Sequence, residues 1–366
     1  MKKHQKHQKL EKPNIGNFHR HELAFVGAPC GQIQNMAKAL IERISEKKIT
    51  YIDADHASAD DETTILKQNI LTDKINYFQW ETTHLNAFDR KIVLQDQDLV
   101  LVNGNHFEAE KQIVFIHPKK EASLKKRVSQ LTNVLAIVLC EGSDKIFDWL
   151  ELNDDVPVFS ESNLGEIADL IKKLTQPVAV KGLILAGGKS TRMGTDKGQI
   201  EYHGLPQVDF LLKEMQALGL ETFVSCREEQ YNAYSRITDK FVDLGPFGAI
   251  VSAFQTDPNT AWLVSAVDLP LVDKNAFKML LHERDSSKLA TCFYNPETGF
   301  PDPLITLWEP KSYMRLLEFL ALGYSCPRKV LINSEVKIVH LENPEILKNI
   351  NTPEEKASFS NAKVWH

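Results

Sequence analysis

The sequence lacks the features of a membrane-embedded or exported protein. None of its apolar runs approaches the roughly 18 residues that a membrane-spanning helix requires. The first segment, residues 1–12, is rich in Lys, His and Gln and has no apolar core, so it does not resemble a signal peptide. We therefore expect a cytoplasmic protein, with no membrane partner, whose residues 1–20 form a disordered tail.

Paired cysteines are also absent. The five cysteines are widely spaced and form no C-x-x-C motif, which argues against a zinc site or a redox pair. Reduced thiols are the state expected in a cytoplasmic protein. The cysteines are Cys30, Cys140, Cys226, Cys292 and Cys326.

The chain has no excess of positive charge. Its formal net charge is −6, so the overall charge does not indicate binding of nucleic acid. A local basic site for a small anionic ligand remains compatible with this balance.

The length and the pattern of elements indicate two α/β domains. The chain has 366 residues, of which 43% are hydrophobic and 25% charged, as in globular proteins. Strand-like and helix-like segments alternate, which predicts mostly parallel sheets flanked by helices. A helical pattern over residues 164–174 stops at Gln176-Pro177, and a new strand starts near Val178. We expect a tail at 1–20, one domain at 21–175 and a second at 178–366.

The most informative segment is residues 183–197, LILAGGKSTRMGTDK. It reads as a short apolar strand that ends at Leu185, followed by a loop with Gly187, Gly188, Arg192 and Lys197. Glycines let backbone N–H groups approach a ligand closely, and such groups together with Arg and Lys bind phosphates. The order of these residues predicts a triphosphate-binding loop at the end of a strand.

The loop matches neither of two common phosphate-binding motifs. Gly188-Lys189-Ser190 lacks the upstream glycine that a P-loop needs, and no G-x-G-x-x-G occurs in the segment. The loop is therefore of a different nucleotide-binding type.

Further polar residues follow predicted strands of the same half. Ser225 and Arg227 follow one strand, Asp243 precedes the segment GPFG at 245–248, and Asp268 ends an apolar strand at 263–267. Ligands of open α/β sheets lie outside the carboxyl ends of the strands. A carboxylate there suits Mg²⁺, so we favour a metal-binding role for Asp268 over capping of the next helix.

The run L-A-G-G-x-S-x-R-M-G-x-D-K at 185–197 resembles the signature of the molybdenum cofactor guanylyltransferases, within the sugar-nucleotide type of nucleotidyltransferases. Three more segments are similar to elements of that family. They are GPFG at 245–248, which is one residue short of G-P-L-x-G, DLP at 268–270, and NINTPEE at 349–355. The resemblance covers residues 178–358 and implies a Rossmann-like nucleotidyltransferase fold.

The resemblance also implies a set of site residues and Mg²⁺ as cofactor. Arg192, Lys197 and Asp268 would be catalytic, with Asp268 and Asn351 as metal ligands. Asn351 reads equally well as the N-cap of a helix with an acidic first turn. The nucleotide-binding residues would be Leu185, Ala186, Gly187, Gly188, Lys197, Ser225, Asp243, Gly248 and Asp268.

Two segments depart from the family pattern. Ser225 stands where the family usually has Asn, and Arg227 is a candidate substitute for the anion contact. Residues 299–304, GFPDPL, lie where the family contacts its second substrate, but they match its pattern only loosely.

The implied reaction is transfer of GMP. The terminal phosphate of molybdopterin attacks the α-phosphorus of GTP, and pyrophosphate leaves. That phosphate is already ionised, so catalysis requires positioning and charge neutralisation rather than a general base. Related cytidylyltransferases usually carry Ala-Ala-Gly at the position of Ala186-Gly187-Gly188, which favours GTP over CTP. Expected partners are GTP, molybdopterin (the molybdenum cofactor), and molybdoenzyme apoproteins or their chaperones.

Two other functions remain open. One is a related nucleotidyltransferase that uses CTP, or a sugar or alcohol phosphate as acceptor. The other is a non-catalytic carrier or adaptor for the molybdenum cofactor. The presence of Arg192, Lys197 and Asp268 together argues for the enzyme.

The first half resembles a degenerate form of the P-loop adaptor that accompanies this family. Residues 25–32, FVGAPCGQ, take the place of the P-loop. However, Gln32-Ile33-Gln34 stands where the P-loop has its Lys and hydroxyl residue, and Asn103 stands where the adaptor has its acidic residue. Nucleotide hydrolysis is therefore not expected. We expect the first half of the chain to dock a partner enzyme or to hold the pterin. The alternative is that it is an unrelated domain with a structural role. We interpret Asp53, Asp55, His56, Asp60 and Asp61 as a solvated acidic loop rather than a metal site.

Overall fold

The computed structural model describes residues 17–54, 70–82, 85–153, 155–187, 196–350 and 355. The chain divides into two compact units between Gln176 and Pro177. The first contains Arg20–Gln176, and the second contains Pro177–His366 together with Ile15–His19. No helix in the described ranges is long and apolar enough to cross a bilayer.

The first unit is built on a parallel sheet. Its elements are β1 (His21–Val26), α1 (Cys30–Arg43), β2 (Ile49–Ile52), β3 (Ile70–Asp73), β4 (Phe78–Glu81), α2 (Ala87–Val93), β5 (Leu99–Asn103), β6 (Lys111–Ile116), α3 (Glu121–Lys125), β7 (Val134–Leu139), β8 (Val158–Ser160) and α4 (Leu164–Leu174). Six strands form the sheet in the order β2-β5-β1-β6-β7-β8, while β3 and β4 form a separate antiparallel hairpin.

The central strand of this sheet is buried on both faces. Leu23 and Phe25 pack with α1 and α4, and Ala24 and Val26 point to the opposite face. A parallel strand covered on both sides needs a continuous apolar run, and β1 has one. The helix predicted over residues 164–174 is confirmed, with the same bounds as α4. α3 ends at Lys125, and a 3-10 turn, Val128–Gln130, follows it.

The second unit contains a seven-stranded mixed sheet. Its elements are β9 (Val180–Leu185), α5 (Gln207–Gln216), β10 (Thr222–Cys226), β11 (Arg236–Thr238), α6 (Pro246–Thr256), β12 (Ala261–Ala266), α7 (Lys274–His282), β13 (Ala290–Asn295), β14 (Phe300–Trp308), α8 (Ser312–Ala321), α9 (Pro327–Ile332) and β15 (Val336–Val339). The strand order is β11-β10-β9-β12-β14-β13-β15.

Helices cover both faces of this sheet. Leu183 and Leu185 of β9 pack with α6 and α8, whereas Ile184 and the following Ala186 pack with α5 and α7. The unit is thus a three-layer α/β/α structure, as predicted. The sequence analysis did not predict α6, whose first turn contains the GPFG segment.

One strand runs against the others. β14 is antiparallel to both of its neighbours, with Ser265 of β12 opposite Ile305 and Asn295 of β13 opposite Phe300. The remaining pairs in this sheet are parallel. Because β14 is reversed, its first residues lie at the edge where the parallel strands end. This places Asp302 beside the end of β12.

Candidate functional site

The predicted nucleotide loop begins at the centre of the sheet's carboxyl edge. Ala186 N–H donates to the Ser225 carbonyl at 2.9 Å, and Val267 N–H donates to the Leu185 carbonyl at 3.3 Å. These bonds fix the end of β9 between β10 and β12. Of the other predicted residues, Gly188, Arg192 and Asn351 lie outside the described residues.

Asp268 occupies the position after β12. Its side chain is 20% exposed, and its Oδ1 is buried and accepts no hydrogen bond from the described residues. Burial raises the pKa of this carboxyl, Lys197 counteracts the effect, and the charge of Asp302 adds to it. A buried carboxylate oxygen without a donor is costly, and a cation at this point would compensate it.

Lys197 stands opposite Asp268. Its Nζ lies 3.9 Å from the other carboxylate oxygen, Oδ2. Lys197 opens a 3-10 turn that Asp196 caps by accepting from Gly198 N–H at 3.0 Å. The Tyr231 hydroxyl donates to the same Asp196 oxygen at 2.8 Å. The structure therefore holds the backbone of Lys197 in place and brings its ammonium to Asp268.

A residue late in the sequence, Ile350, contacts the backbone of Asp268. Ile350 N–H donates to the Asp268 carbonyl at 2.9 Å. The next residue is Asn351, so this hydrogen bond brings the chain to the candidate metal site immediately before the predicted second ligand. Burial, and then the charges of Asp268 and Glu355, raise the pKa of Tyr202.

Asp302 is a second carboxylate near Asp268, but its bonding differs. It is 2% exposed, and both of its oxygens accept hydrogen bonds, from Asn295 Nδ2 at 3.0 Å and from Leu304 N–H at 2.9 Å. Asp302 belongs to the loosely matching segment 299–304. Within the described ranges, no group of three or more His, Cys, Asp or Glu side chains could hold a metal.

A cleft opens on the other side of the nucleotide loop. Its volume is about 840 Å³. It lies at the ends of β9, β10 and β11, and Gly187, Arg227, Thr238, Asp239, Asp243 and Gly245 are among its lining residues. The cleft has room for a nucleoside, so the predicted nucleotide residues Gly187 and Asp243 face a suitable space.

Sequence reasoning missed Asp239, which the structure places at the back of this cleft. The Ser225 hydroxyl donates to Asp239 Oδ1 at 2.6 Å. Burial raises the pKa of Asp239, against the effects of Ser225 and Arg227. A Cβ atom added at Gly187 would lie 3.2 Å from Asp239 Oδ2 and 3.2 Å from Cys226 Cα. The glycine thus leaves room beside a carboxylate oxygen.

One signal could have revealed Asp239. It directly follows β11, so it sits at a carboxyl end like the other site residues. Ser225 is fully buried, and its hydroxyl is directed to Asp239.

Gly248 is buried in α6 under the Phe241 carbonyl, so a side chain there would clash. Direct contact of Ser225 and Gly248 with nucleotide stays a prediction.

Comparisons with known proteins match the second unit. A family model described as "MobA-like NTP transferase domain" matches residues 182–337. A molybdenum cofactor guanylyltransferase from Xanthomonas euvesicatoria is 30% identical over 178 residues, which is 45% of this chain and 90% of that protein.

Two further matches differ in extent. A molybdenum cofactor biosynthesis bifunctional protein from Synechocystis is 30% identical over 179 residues, or 48% of this chain. The matched region spans about half (52%) of that protein's length. The crystal structure of molybdopterin-guanine dinucleotide biosynthesis protein A from Archaeoglobus fulgidus covers 51% of this chain and 100% of its own, with 19% identity and a TM-score of 0.43.

The sequence resemblance of residues 178–358 is confirmed by the family model and by the Xanthomonas relative. The family model, which matches residues 182–337, leaves the first unit outside its match. The chain belongs to the family of the molybdenum cofactor guanylyltransferases, which are nucleotidyltransferases.

Proposed function

We propose that the second unit transfers GMP from Mg²⁺-GTP to the terminal phosphate of molybdopterin, with release of pyrophosphate. The observation that carries this proposal is the pair formed by Asp268 and Lys197. One carboxylate oxygen of Asp268 is buried and accepts no hydrogen bond from the part of the chain that the structure describes, and the Lys197 ammonium lies 3.9 Å from the other oxygen. A metal–triphosphate complex supplies both a cation for the first oxygen and anionic groups for the ammonium.

Asp268 fits the role of a magnesium ligand. Mg²⁺ is held in proteins by one or two carboxylates, with substrate phosphates and water completing its shell. Bound Mg²⁺ would neutralise charge on the phosphates during transfer. We propose Asn351 as an additional ligand, because the preceding residue donates its N–H to Asp268.

Lys197, and Arg192 in the same loop, are proposed to bind the triphosphate. Their fixed positive charges would hold the α-phosphorus in line with the acceptor phosphate and stabilise the departing pyrophosphate. The attacking phosphate oxygen is ionised at neutral pH, so no side chain has to remove a proton.

Asp239 supports guanine as the base. Guanine presents two adjacent donors, N1–H and N2–H, on its pairing edge, and a carboxylate can accept both. Cytosine has one donor there, beside acceptors that a carboxylate would repel. Gly187 leaves space at Asp239 Oδ2 for that edge. A polar site built for a hydrogen-bonding group rejects a base that leaves its polar atoms unpaired.

The test is release of pyrophosphate from Mg²⁺-GTP with and without molybdopterin, with Mg²⁺-CTP in parallel. Release that requires both GTP and molybdopterin supports the proposal. Release with CTP alone would contradict the assignment of the base. Release with a sugar or alcohol phosphate instead of molybdopterin would contradict the acceptor, and no release with any acceptor would favour a carrier or adaptor.

A further inference from the structure

A second group of reactive side chains lies at the carboxyl edge of the sheet in the first unit. β1 leads through a short loop to Cys30, the first residue of α1, and β5 leads to His106. β1 and β5 are neighbouring parallel strands, so the segments that follow them meet. The Sγ atom of Cys30 lies 3.3 Å from Nε2 of His106.

Backbone and side-chain bonds hold the two residues together. Asn105 Nδ2 donates to the Ala28 carbonyl at 2.9 Å and lies 3.7 Å from the Cys30 sulfur. Arg127 donates to the Asn105 carbonyl at 2.7 Å. His106 N–H donates to the Asn103 carbonyl at 3.0 Å. The loop after β5 is thus tied to the loop after β1, which fixes the imidazole beside the thiol.

The carboxylate of Asp53 is tied to the end of β5, the strand that leads to His106. Asp53 accepts from the Tyr51 hydroxyl at 2.6 Å and from Asn103 Nδ2 at 2.8 Å. Although burial opposes it, the hydrogen bonds from Tyr51, Ala54 N–H and Asn103, and the charge of His106, lower the pKa of Asp53. Asp53 therefore carries negative charge near neutral pH.

We propose that Cys30 and His106 form a thiol–imidazole pair that makes Cys30 a nucleophile toward small disulfides. The 14-residue helix α1 begins at Cys30, so the partial positive charge of its N-terminus lies at this residue. The imidazole nitrogen 3.3 Å from the sulfur is placed to accept the thiol proton.

The step is thiol–disulfide exchange. The thiol proton passes to His106, and the Cys30 sulfur attacks one sulfur of a disulfide RSSR. The old S–S bond breaks, RS⁻ leaves and takes up a proton, and Cys30 ends as the mixed disulfide Cys–S–SR. Cys30 is oxidised and the departing sulfur is reduced, so no other oxidant is required.

The imidazole of the pair lines a cleft. The cleft has a volume of about 410 Å³, and its lining includes Arg90, His106 and Glu108 but not Cys30. Cys30 is partly exposed, so a disulfide small enough to reach its sulfur past His106, such as glutathione disulfide, is the class of reagent that the pair admits. The proposal does not depend on the reaction of the second unit.

The chain contains its own reference thiols. Cys140 is buried, and burial raises its pKa to about 12. Cys326 is exposed at the start of α9, and the described hydrogen bonds place no imidazole on its sulfur. The reaction rate of Cys326 shows how fast an exposed thiol reacts without a neighbouring imidazole. Modification of Cys140 shows that the first unit has opened.

The experiment exposes the intact, reduced protein to limiting glutathione disulfide at about pH 6.5 and measures each modified cysteine by peptide mass spectrometry. The thiolate is the attacking species, so an adjacent base that accepts the thiol proton speeds the exchange. We expect Cys30 to react about fivefold faster than Cys326, and Cys140 not to react.

Two variants separate activation from accessibility. His106→Gln keeps a hydrogen-bond donor but removes the base, so the rate at Cys30 should fall to that of Cys326 or below. Cys30→Ser should leave the slow reaction of Cys326 unchanged. If Cys140 becomes modified in His106→Gln, the unit has opened, and the pH profile of the wild type then decides.

In the wild type, the ratio of the rates at Cys30 and Cys326 should change with pH, because only the sulfur of Cys30 has an imidazole beside it among the described residues. Faster reaction of Cys326 than of Cys30, an unchanged Cys30 rate in a folded His106→Gln variant, or parallel pH profiles of the two thiols would overturn the proposal.

Discussion

The ammonium of Lys197 lies near only one of the two oxygens of the Asp268 carboxylate. Nζ lies 3.9 Å from Oδ2, and the buried Oδ1 accepts no hydrogen bond from the described residues. A simple ion pair would not require a second, desolvated oxygen at the end of a strand. The arrangement instead suits a site that is completed by a cation and its anionic ligand.

Asp268→Asn should abolish transfer while preserving the fold, because the amide keeps the shape but removes the charge that binds Mg²⁺. We expect a loss of about 10³-fold or more in kcat, measured as pyrophosphate release under saturating Mg²⁺-GTP. Asp257→Asn is the matched control, since Asp257 pairs with Lys181 at 3.1 Å at the other end of the sheet. Equal activity of the two variants would refute the metal role.

Lys197→Met should weaken binding of the triphosphate. Loss of one fixed cation on the phosphates should lower kcat/KM for Mg²⁺-GTP by roughly 10- to 100-fold. Lys181→Met removes a lysine from the amino-terminal part of β9, where it pairs with Glu221 and Asp257. That control should retain activity; a comparable loss would show that the effect of Lys197 is only structural.

Asp239→Asn should reduce discrimination between bases. An amide cannot accept both guanine donors without reorienting, so kcat/KM for GTP should fall roughly 100-fold, with a much smaller change for CTP. Ser225→Ala should give a milder effect in the same direction, because it removes the hydroxyl that orients Asp239. Competition between GTP and CTP in one reaction measures the ratio, and an unchanged ratio would exclude Asp239 as the base contact.

Gly187→Ala should narrow the cleft. The added methyl group would lie 3.2 Å from Asp239 Oδ2 and from Cys226 Cα, so the nucleotide's KM should rise by roughly tenfold or more. Gly165→Ala in α4 is the control, since its Cβ would meet nothing within 4 Å. Isothermal titration with a non-hydrolysable GTP analogue gives the affinities, and equal affinities would place the nucleotide elsewhere.

His21 should make stability depend on pH. Burial, and secondarily Lys111, lower its pKa from 6.5 to about 4. Between these values the unfolded chain binds more protons than the folded one, so stability falls as the pH drops below 6.5. The loss should reach about 2 kcal/mol at about pH 5.

Urea unfolding of wild type and His21→Gln isolates this effect. At about pH 7.5 both proteins carry a neutral side chain at this position, and at about pH 5 only the wild type should show the extra loss. A difference between the two proteins that stays constant across this range would mean that His21 is not the titrating group.

Elements could be predicted correctly from the sequence where a single residue pattern dominates a segment. β9 is apolar on both faces and ends at paired glycines, so both the strand and the start of the loop could be predicted. α6 was missed because Gly245 and Pro246 look like a turn, although Pro suits the first turn of a helix. Whether the remaining loop residues contact nucleotide is a prediction that the experiments above address.

Other features depend on tertiary contacts that a single sequence does not encode locally. β11 has three residues, too few for a strand signal, and Asp239 was overlooked with it. The direction of β14 cannot be read from its residues, because parallel and antiparallel strands share the same alternation. Asp302 was therefore seen as part of a segment but not as a neighbour of Asp268.

The reversal of β14 separates two tasks within one sheet. The turn between Asn295 and Phe300 projects from the same edge as the nucleotide loop, yet it belongs to a hairpin on the opposite side of β12. Insertions or substitutions in that turn would alter what stands beside Asp268 without moving β9, β10 or β11. Changes in the hairpin of β13 and β14 can thus alter the surroundings of one reactant, while β9, β10 and β11, on the other side of β12, stay the same.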